Sequence, residues 1–301
     1  MPKTAPFARV IAAAATPFLE DLRVDGPRMV SHAKWLLANG CDGLVMFGST
    51  GESASLTLAE RHSIVNELGA AGIAPAALLI GTGCCAIDDT VSLTRMAIAA
   101  GCAGALVQPP FFFKGVSDEG VESFYCRLID TVADARLRLY LYHYPQTVGV
   151  GVSPELTARL LKRYPATIAG YKDSSGDFAN TMAITRAFPT LDVFVATEAR
   201  YLEFRESGGA GCVSATANVQ SAAIRRLEAA LGTPAAAGLQ AQVAALRKLL
   251  EGARGISNVK AMLAQIHSSA EWMRTRPPLL GLTSDEARVL REGVASLLAA
   301  L

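Results

Sequence analysis

Ile168-Ala169-Gly170-Tyr171-Lys172-Asp173-Ser174-Ser175-Gly176-Asp177 joins a short apolar run to a polar turn, and a segment of helical period follows it. The same unit recurs along the chain. Apolar runs stand at Val10 to Ala15, Leu44 to Phe47, Ala77 to Ile80, Ala105 to Gln108, Arg138 to Tyr142, Ile168 to Tyr171, Val193 to Ala196 and Gly211 to Ser214, each trailed by a longer stretch of helical period. Helix starts support this register. Thr57 with Glu60 spells a capping box, Ser153-Pro154-Glu155 is a cap followed by proline at the first helical position, and Ser117-Asp118-Glu119 puts acids at a positive helix end. The apolar runs show little polar alternation, so the strands are expected to be buried on both faces, as parallel strands covered by helices are. Eight such units predict an α/β chain closed into a (β/α)8 TIM barrel, with a doubly wound open sheet as the alternative.

After the eighth strand a helix over about 221–231 meets Gly232-Thr233-Pro234. The remainder is rich in Ala and Leu and reads as helical, with a second capping box at Thr283 and Glu286. Residues 1–232 are therefore expected to form the barrel that carries the active site. Residues 233–301 are expected to form a C-terminal helical extension rather than an independent domain.

Composition removes several function classes. With 28 Lys and Arg against 27 Asp and Glu, the net charge of +1 gives no field to hold a polyanion, and nucleic acid is not an expected partner. Met1-Pro2-Lys3, Arg9 and the run from Val10 faintly resemble a signal peptide, but the apolar run before Pro17 is shorter than the ~7 to 15 residues of an h-region and reads as a first strand. No stretch approaches the ~18 apolar residues of a membrane helix, so no membrane partner is expected. Six cysteines scattered in apolar segments, with no Cys-x-x-Cys spacing, read as reduced core residues of a cytoplasmic protein. The four histidines form no ligand pattern, so neither a metal site nor a cofactor is expected.

Within the opening stretch Lys172 carries the chemistry. Burial at a strand end lowers an amine's pKa from ~10.4 toward neutrality, and the neutral form attacks a ketone. The alternative is a solvated surface lysine. In a barrel the strands' carboxyl ends converge on the active site. That rim offers Gly48-Ser49-Thr50-Gly51-Glu52-Ser53, Tyr142, Lys172, Glu198 and Ser214 to Thr216, a set suited to carbonyl chemistry through an imine. The turn opened by Gly48 either cups a small carboxylate, with Ser49 and Thr50 adding hydroxyls, or is a tight turn that needs glycine. Gly81-Thr82-Gly83-Cys84-Cys85-Ala86 mimics a dinucleotide fingerprint, but Val107-Gln108 stands where the ribose-binding acid belongs.

Read in order, Gly48-Ser49-Thr50-Gly51-Glu52-Ser53, Tyr142-His143-Tyr144-Pro145, Gly170-Tyr171-Lys172-Asp173 and Gly211-Cys212-Val213-Ser214-Ala215-Thr216-Ala217-Asn218 resemble the signatures of the dihydrodipicolinate synthase and N-acetylneuraminate lyase family. The likeness runs nearly end to end, through Pro109 to Phe113, Ser117 to Gly120 and Pro278 to Thr283. It implies a homotetramer or homodimer and a class I aldolase, lyase or dehydratase that binds pyruvate or another 2-oxo acid as an imine on Lys172. By the same resemblance Tyr142 shuttles protons, Ser49 and Thr50 bind the carboxylate with Ser49 in the hydroxyl relay, and Val213 and Gly211 line the pyruvate pocket.

Two positions depart from the family pattern. Where dihydrodipicolinate synthases carry a relay tyrosine in the strand-4 loop, this chain has Phe111-Phe112-Phe113, with Phe112 as the counterpart and a subunit contact as its other reading. Five residues after Tyr142, where those enzymes grip the carboxylate of aspartate semialdehyde with arginine, stands Thr147. The expected second substrate is therefore an aldehyde related to 2-keto-3-deoxy sugar acids, with Thr147 and His143 meeting a polyol. For His143 a barrel-wall position turned away from the site is the alternative, because strand side chains alternate. A dihydrodipicolinate synthase that tolerates these changes is the second functional reading, and a silent barrel that only binds a 2-oxo acid is the third.

Overall fold

A computed structural model describes residues 7–252 and 254–299. Eight strands close into a parallel barrel in sequence order: β1 (Val10–Ala13), β2 (Gly43–Met46), β3 (Leu78–Gly81), β4 (Gly104–Val107), β5 (Leu139–His143), β6 (Ile168–Asp173), β7 (Asp192–Val195) and β8 (Gly211–Ser214). β1 pairs with β8, so no sheet edge remains and the open-sheet alternative falls. The expected strands hold to within one or two residues, but β6 runs through Lys172 to Asp173, so the lysine lies inside the strand rather than after it. Met1 to Lys3 lie outside the described residues, and the run that follows forms β1. No helix among the described residues is long and apolar enough to cross a membrane.

The apolar strands serve two cores. Val10, Ala12, Leu44, Met46 and Leu141 face the surrounding helices, while Ile11, Ala13, Val45, Leu79, Tyr142, Phe194 and Val213 fill the barrel. This is period-2 alternation with both faces apolar, which is why the runs carry little polar patterning. The glycine of the dinucleotide-like run has a packing reason. A Cβ on Gly81 would lie 2.1 Å from the carbonyl oxygen of Phe47.

The helix caps form as the sequence dictates. Thr57 and Glu60 make a reciprocal capping box on the helix Leu58–Ala70, Ser153 caps Pro154–Arg163, and Ser117 caps Asp118–Val132. The helix after β8 starts at Ala217 rather than near Ser221, and a non-helical Gln220 marks the irregular turn between the two positions. Cys41, Cys126 and Cys212 are core residues as expected, but Cys84 and Cys102 are half-buried and Cys85 is exposed.

Beyond Gly232 come the helices Ala236–Leu250, Gly255–Ile266 and Ser284–Ala299, the last preceded by the expected Thr283 and Glu286 box. Val259, Leu263 and Trp272 pack on Ala15 and Ala215, just past the carboxyl ends of β1 and β8. The helical segment thus rests against the rim where the loops converge.

Candidate active site

Lys172 is 4% exposed, and its strand end is held by its neighbour. The Asp173 carboxylate accepts hydrogen bonds from Ser175 N at 2.8 Å, Asn180 Nδ2 at 2.9 Å and Thr181 Oγ1 at 2.9 Å, which ties β6 to the helix Phe178–Ala187. On either side the register partners of Lys172 are Tyr142 on β5 and Phe194 on β7, both inside the barrel. The amine therefore enters an apolar, aromatic chamber. Its Nζ lies 4.2 Å from the Tyr142 ring centroid. The Tyr142 hydroxyl meets Ser49 Oγ at 3.4 Å and Ser174 Oγ at 3.5 Å, and Tyr144 stacks on its ring. Ser174 is a member of this hydroxyl cluster that the sequence motifs did not single out.

The loop after β2 is a tight turn closed by its own backbone hydrogen bonds. The amides of Gly51 and Ser53 donate to Gly48 O, and that of Glu52 donates to Ser49 O. These amides are spent on the turn, while Ser49 and Thr50 border a cavity of about 390 Å³ together with Thr147, Thr216 and Arg247. Thr16 Oγ1 braces the turn by donating to Gly51 O at 2.7 Å. Below it Glu52, in left-handed backbone geometry at φ 56°, sends its carboxylate to the amine of Lys260 and to Arg276 N at 2.9 Å. Lys260 and Glu52 are both fully buried, 208 residues apart. Burial pulls the Lys260 pKa down to about 8 against the opposing pull of Glu52. The run Val259-Lys260-Ala261-Met262-Leu263 is the sequence signal for this pair, since a charge among buried apolar neighbours needs a partner.

A second buried acid lies at the β7 and β8 ends. Glu198 is fully buried, accepts from Thr216 Oγ1 at 2.6 Å, and pairs with Arg247 Nη1 at 2.8 Å. The same Nη1 reaches Ser214 Oγ at 3.3 Å.

Of the remaining expected residues, Val213 lies inside the barrel and Thr147 lines the cavity from the short helix Pro145–Val148. His143 and Phe112 stand elsewhere. His143 faces outward: its Nδ1 accepts from Val152 N at 2.9 Å, its ring stacks on Tyr171, and burial lowers its pKa. Alternation next to inward-facing Tyr142 forces this and removes His143 from the substrate pocket. Gly211 opens β8 as the register partner of Phe194, two residues before Val213, and a Cβ there would lie 2.1 Å from Arg9 O, so close strand packing demands the glycine. Phe112 is 73% exposed, packs edge-to-face on Phe113, and does not reach the Tyr142 cluster within this chain.

An eight-stranded parallel barrel with a buried amine, a phenol and hydroxyls gathered at its carboxyl rim defines a (β/α)8-barrel enzyme equipped for carbonyl chemistry. The chain belongs to the dihydrodipicolinate synthetase family, whose model matches residues 6–297. It is 32% identical to an uncharacterized DapA-like lyase of Chloroflexus aurantiacus over 96% of this chain and 97% of that protein. It is 31% identical to a 4-hydroxy-tetrahydrodipicolinate synthase of Synechococcus over 97% of this chain and 96% of the relative. The crystal structure of dihydrodipicolinate synthase from Agrobacterium tumefaciens superposes with a TM-score of 0.88 at 29% identity, covering 96% of this chain and 99% of that one. The chain is accordingly a lyase of this family.

Proposed function

We propose that this enzyme is a class I aldolase or lyase that binds pyruvate, or a related 2-oxo acid, as an imine on Lys172. The observation that carries this reading is the contact between the Lys172 amine and the Tyr142 ring inside a closed apolar barrel. In its neutral form the amine adds to the ketone carbon to give a carbinolamine, and loss of water gives the imine. Tyr142 takes the proton from the attacking nitrogen and returns one to the departing hydroxyl, with Ser49 and Ser174 as its hydrogen-bond partners. Thr50 and Ser49 hold the carboxylate, and Val213 closes the apolar wall. The imine then serves as an electron sink: loss of a methyl proton, or of an aldehyde fragment, leaves an enamine whose carbon bonds to an aldehyde in the synthetic direction.

The second substrate distinguishes two readings. Thr147, a neutral hydroxyl at the cavity, favours cleavage or synthesis of 2-keto-3-deoxy sugar acids. Similarity to the Synechococcus synthase keeps condensation of pyruvate with aspartate semialdehyde as the second reading. Assaying purified enzyme with pyruvate and a panel of sugar aldehydes, beside a coupled assay with aspartate semialdehyde, separates them. Turnover of sugar aldehydes with semialdehyde near background supports the first, the reverse supports the second, and no turnover of any aldehyde overturns both in favour of a binding barrel.

Association into a homotetramer or homodimer and a cytoplasmic site of action complete the proposal. Phe112 and Phe113, 73% and 70% exposed, support the former. The segment 233–301 acts as an extension that completes the rim of the 1–232 barrel, supported by the ion pairs that Lys260 and Arg247 make with Glu52 and Glu198.

A further inference from the structure

Arg247 has no role in the chemistry above, yet it borders the same cavity as Ser49, Thr50 and Thr147. It comes from the helix Ala236–Leu250, outside the barrel strands and their loops. Only one edge of its guanidinium is committed, through Nη1 to Glu198 Oε2 at 2.8 Å and Ser214 Oγ at 3.3 Å. Its Nε is buried without a hydrogen-bond partner. Glu251 pairs with that nitrogen, its Oε2 3.4 Å away and its side chain 52% exposed. A clamp between helix and barrel needs only the Glu198 contact, which a lysine would supply. An arginine adds a second, planar donor edge, and here the Nε on that edge has only the half-exposed Glu251 carboxylate beside it, in a residue that borders the cavity.

We infer that Arg247 is the specificity-determining residue for the second substrate, holding an oxyanion, carboxylate or phosphate, at the end of the aldehyde remote from its reacting carbon. Glu251 occupies that place in the free enzyme. It lies just past the helix, half exposed, and can swing into solvent, so an incoming anion replaces one carboxylate by another with no change in net charge beside Arg247. Glu198 stays paired throughout, fixed by Thr216 at 2.6 Å. The cation that Thr147 fails to provide from the β5 loop is thus supplied from the extension, and the sugar-type aldehyde favoured by Thr147 carries an anionic group at its far end. This inference rests on the imine reading of Lys172.

The test measures KM and kcat with pyruvate and three aldehydes: neutral glyceraldehyde, glyceraldehyde 3-phosphate, and succinic semialdehyde as the carboxylate. In Arg247→Gln, KM for the anionic acceptors rises by about 10- to 100-fold while KM for glyceraldehyde stays within about twofold, a range set by loss of one to two charge-assisted hydrogen bonds. Arg247→Lys recovers part of the loss, and whichever anion suffers more in Arg247→Gln identifies carboxylate or phosphate as the natural group. Because Arg247→Gln strands Glu198 and risks misfolding, Glu251→Gln provides an independent arm. It lowers KM for the anionic aldehydes by about threefold and leaves glyceraldehyde unchanged. Equal changes for neutral and charged acceptors in both variants overturn the inference. Borohydride trapping with pyruvate is run on every variant. Wild type without a label on Lys172 sinks the imine reading itself, whereas normal labelling with charge-blind kinetics sinks only the role of Arg247.

Discussion

Tyr142 and Lys172 are register partners across the β5 and β6 ladder, and the lysine Nζ stands 4.2 Å from the tyrosine ring centroid. Both groups are therefore carried by adjacent strands of a closed sheet, not by loops, and the backbone hydrogen bonds of the barrel set their separation. Such pre-organisation is what an amine and its proton carrier need, since small misplacements are costly in rate.

Tyr142→Phe keeps the ring beneath the amine and removes the hydroxyl that meets Ser49 and Ser174. The expected result is a fall in kcat of about 10²- to 10⁴-fold, the range of a lost general acid and base, with the thermal midpoint nearly unchanged. Steady-state kinetics paired with a circular-dichroism melt checks both parts.

Lys260→Met leaves the Glu52 carboxylate buried with only the Arg276 amide as partner. Breaking one side of a buried pair typically costs about 3–5 kcal/mol, so denaturant unfolding should show a loss of that order. The double variant Glu52→Gln with Lys260→Met removes both charges and should regain more than half of it. If the double variant is as unstable as the single, the pair is not what ties the extension to the loop after β2.

Acid sensitivity should centre on His32. The Asn218 amide donates to Ala13 O and Ala215 O, so its Oδ1 accepts from His32 Nε2 at 2.9 Å, and His32 Nδ1 accepts from His267 at 3.2 Å. His32 is neutral in this network, and burial, with a smaller push from His267, lowers its pKa to about 4 from 6.5. In the unfolded chain it takes up a proton near 6.5. Its contribution is thus fully present above pH 6.5 and is lost as the pH falls toward 4, at about 1.4 kcal/mol per unit. Glu60, held near 2 by Arg276, acts only below 4.5. Unfolding free energies between pH 7 and 4.5 should fall more steeply in wild type than in His32→Gln, with His143 and His267, also lowered by burial, adding to the slope of both.

Phe112→Asp combined with Phe113→Asp places two charges on the exposed aromatic pair of the β4 loop. Sedimentation velocity should then report a smaller assembly than wild type at the same concentration. An unchanged assembly would remove this loop from the subunit contact.

Much of this architecture is legible along the chain because strands buried on both faces are written as unbroken apolar runs, and because Thr57, Ser153 and Thr283 mark helix starts locally. Motifs that lie within one strand-to-loop segment, such as Ser49 with Thr50 or Lys172 with Asp173, are legible for the same reason. His143 misleads since its motif neighbour Tyr142 takes the inward side, and alternation is known only once the strand's phase is fixed. Arg247 and Lys260 are hidden for a different reason. Their partners Glu198 and Glu52 stand 49 and 208 residues away, and no local pattern records which face of the extension helices meets the rim.

Borohydride reduction of the enzyme in the presence of pyruvate, followed by peptide mass analysis, reads the imine on Lys172 itself. The expected product is a reduced pyruvyl adduct on Lys172 alone, absent when pyruvate is omitted and absent in Lys172→Ala. An unmodified Lys172, or an adduct on a different lysine such as Lys260, would contradict it.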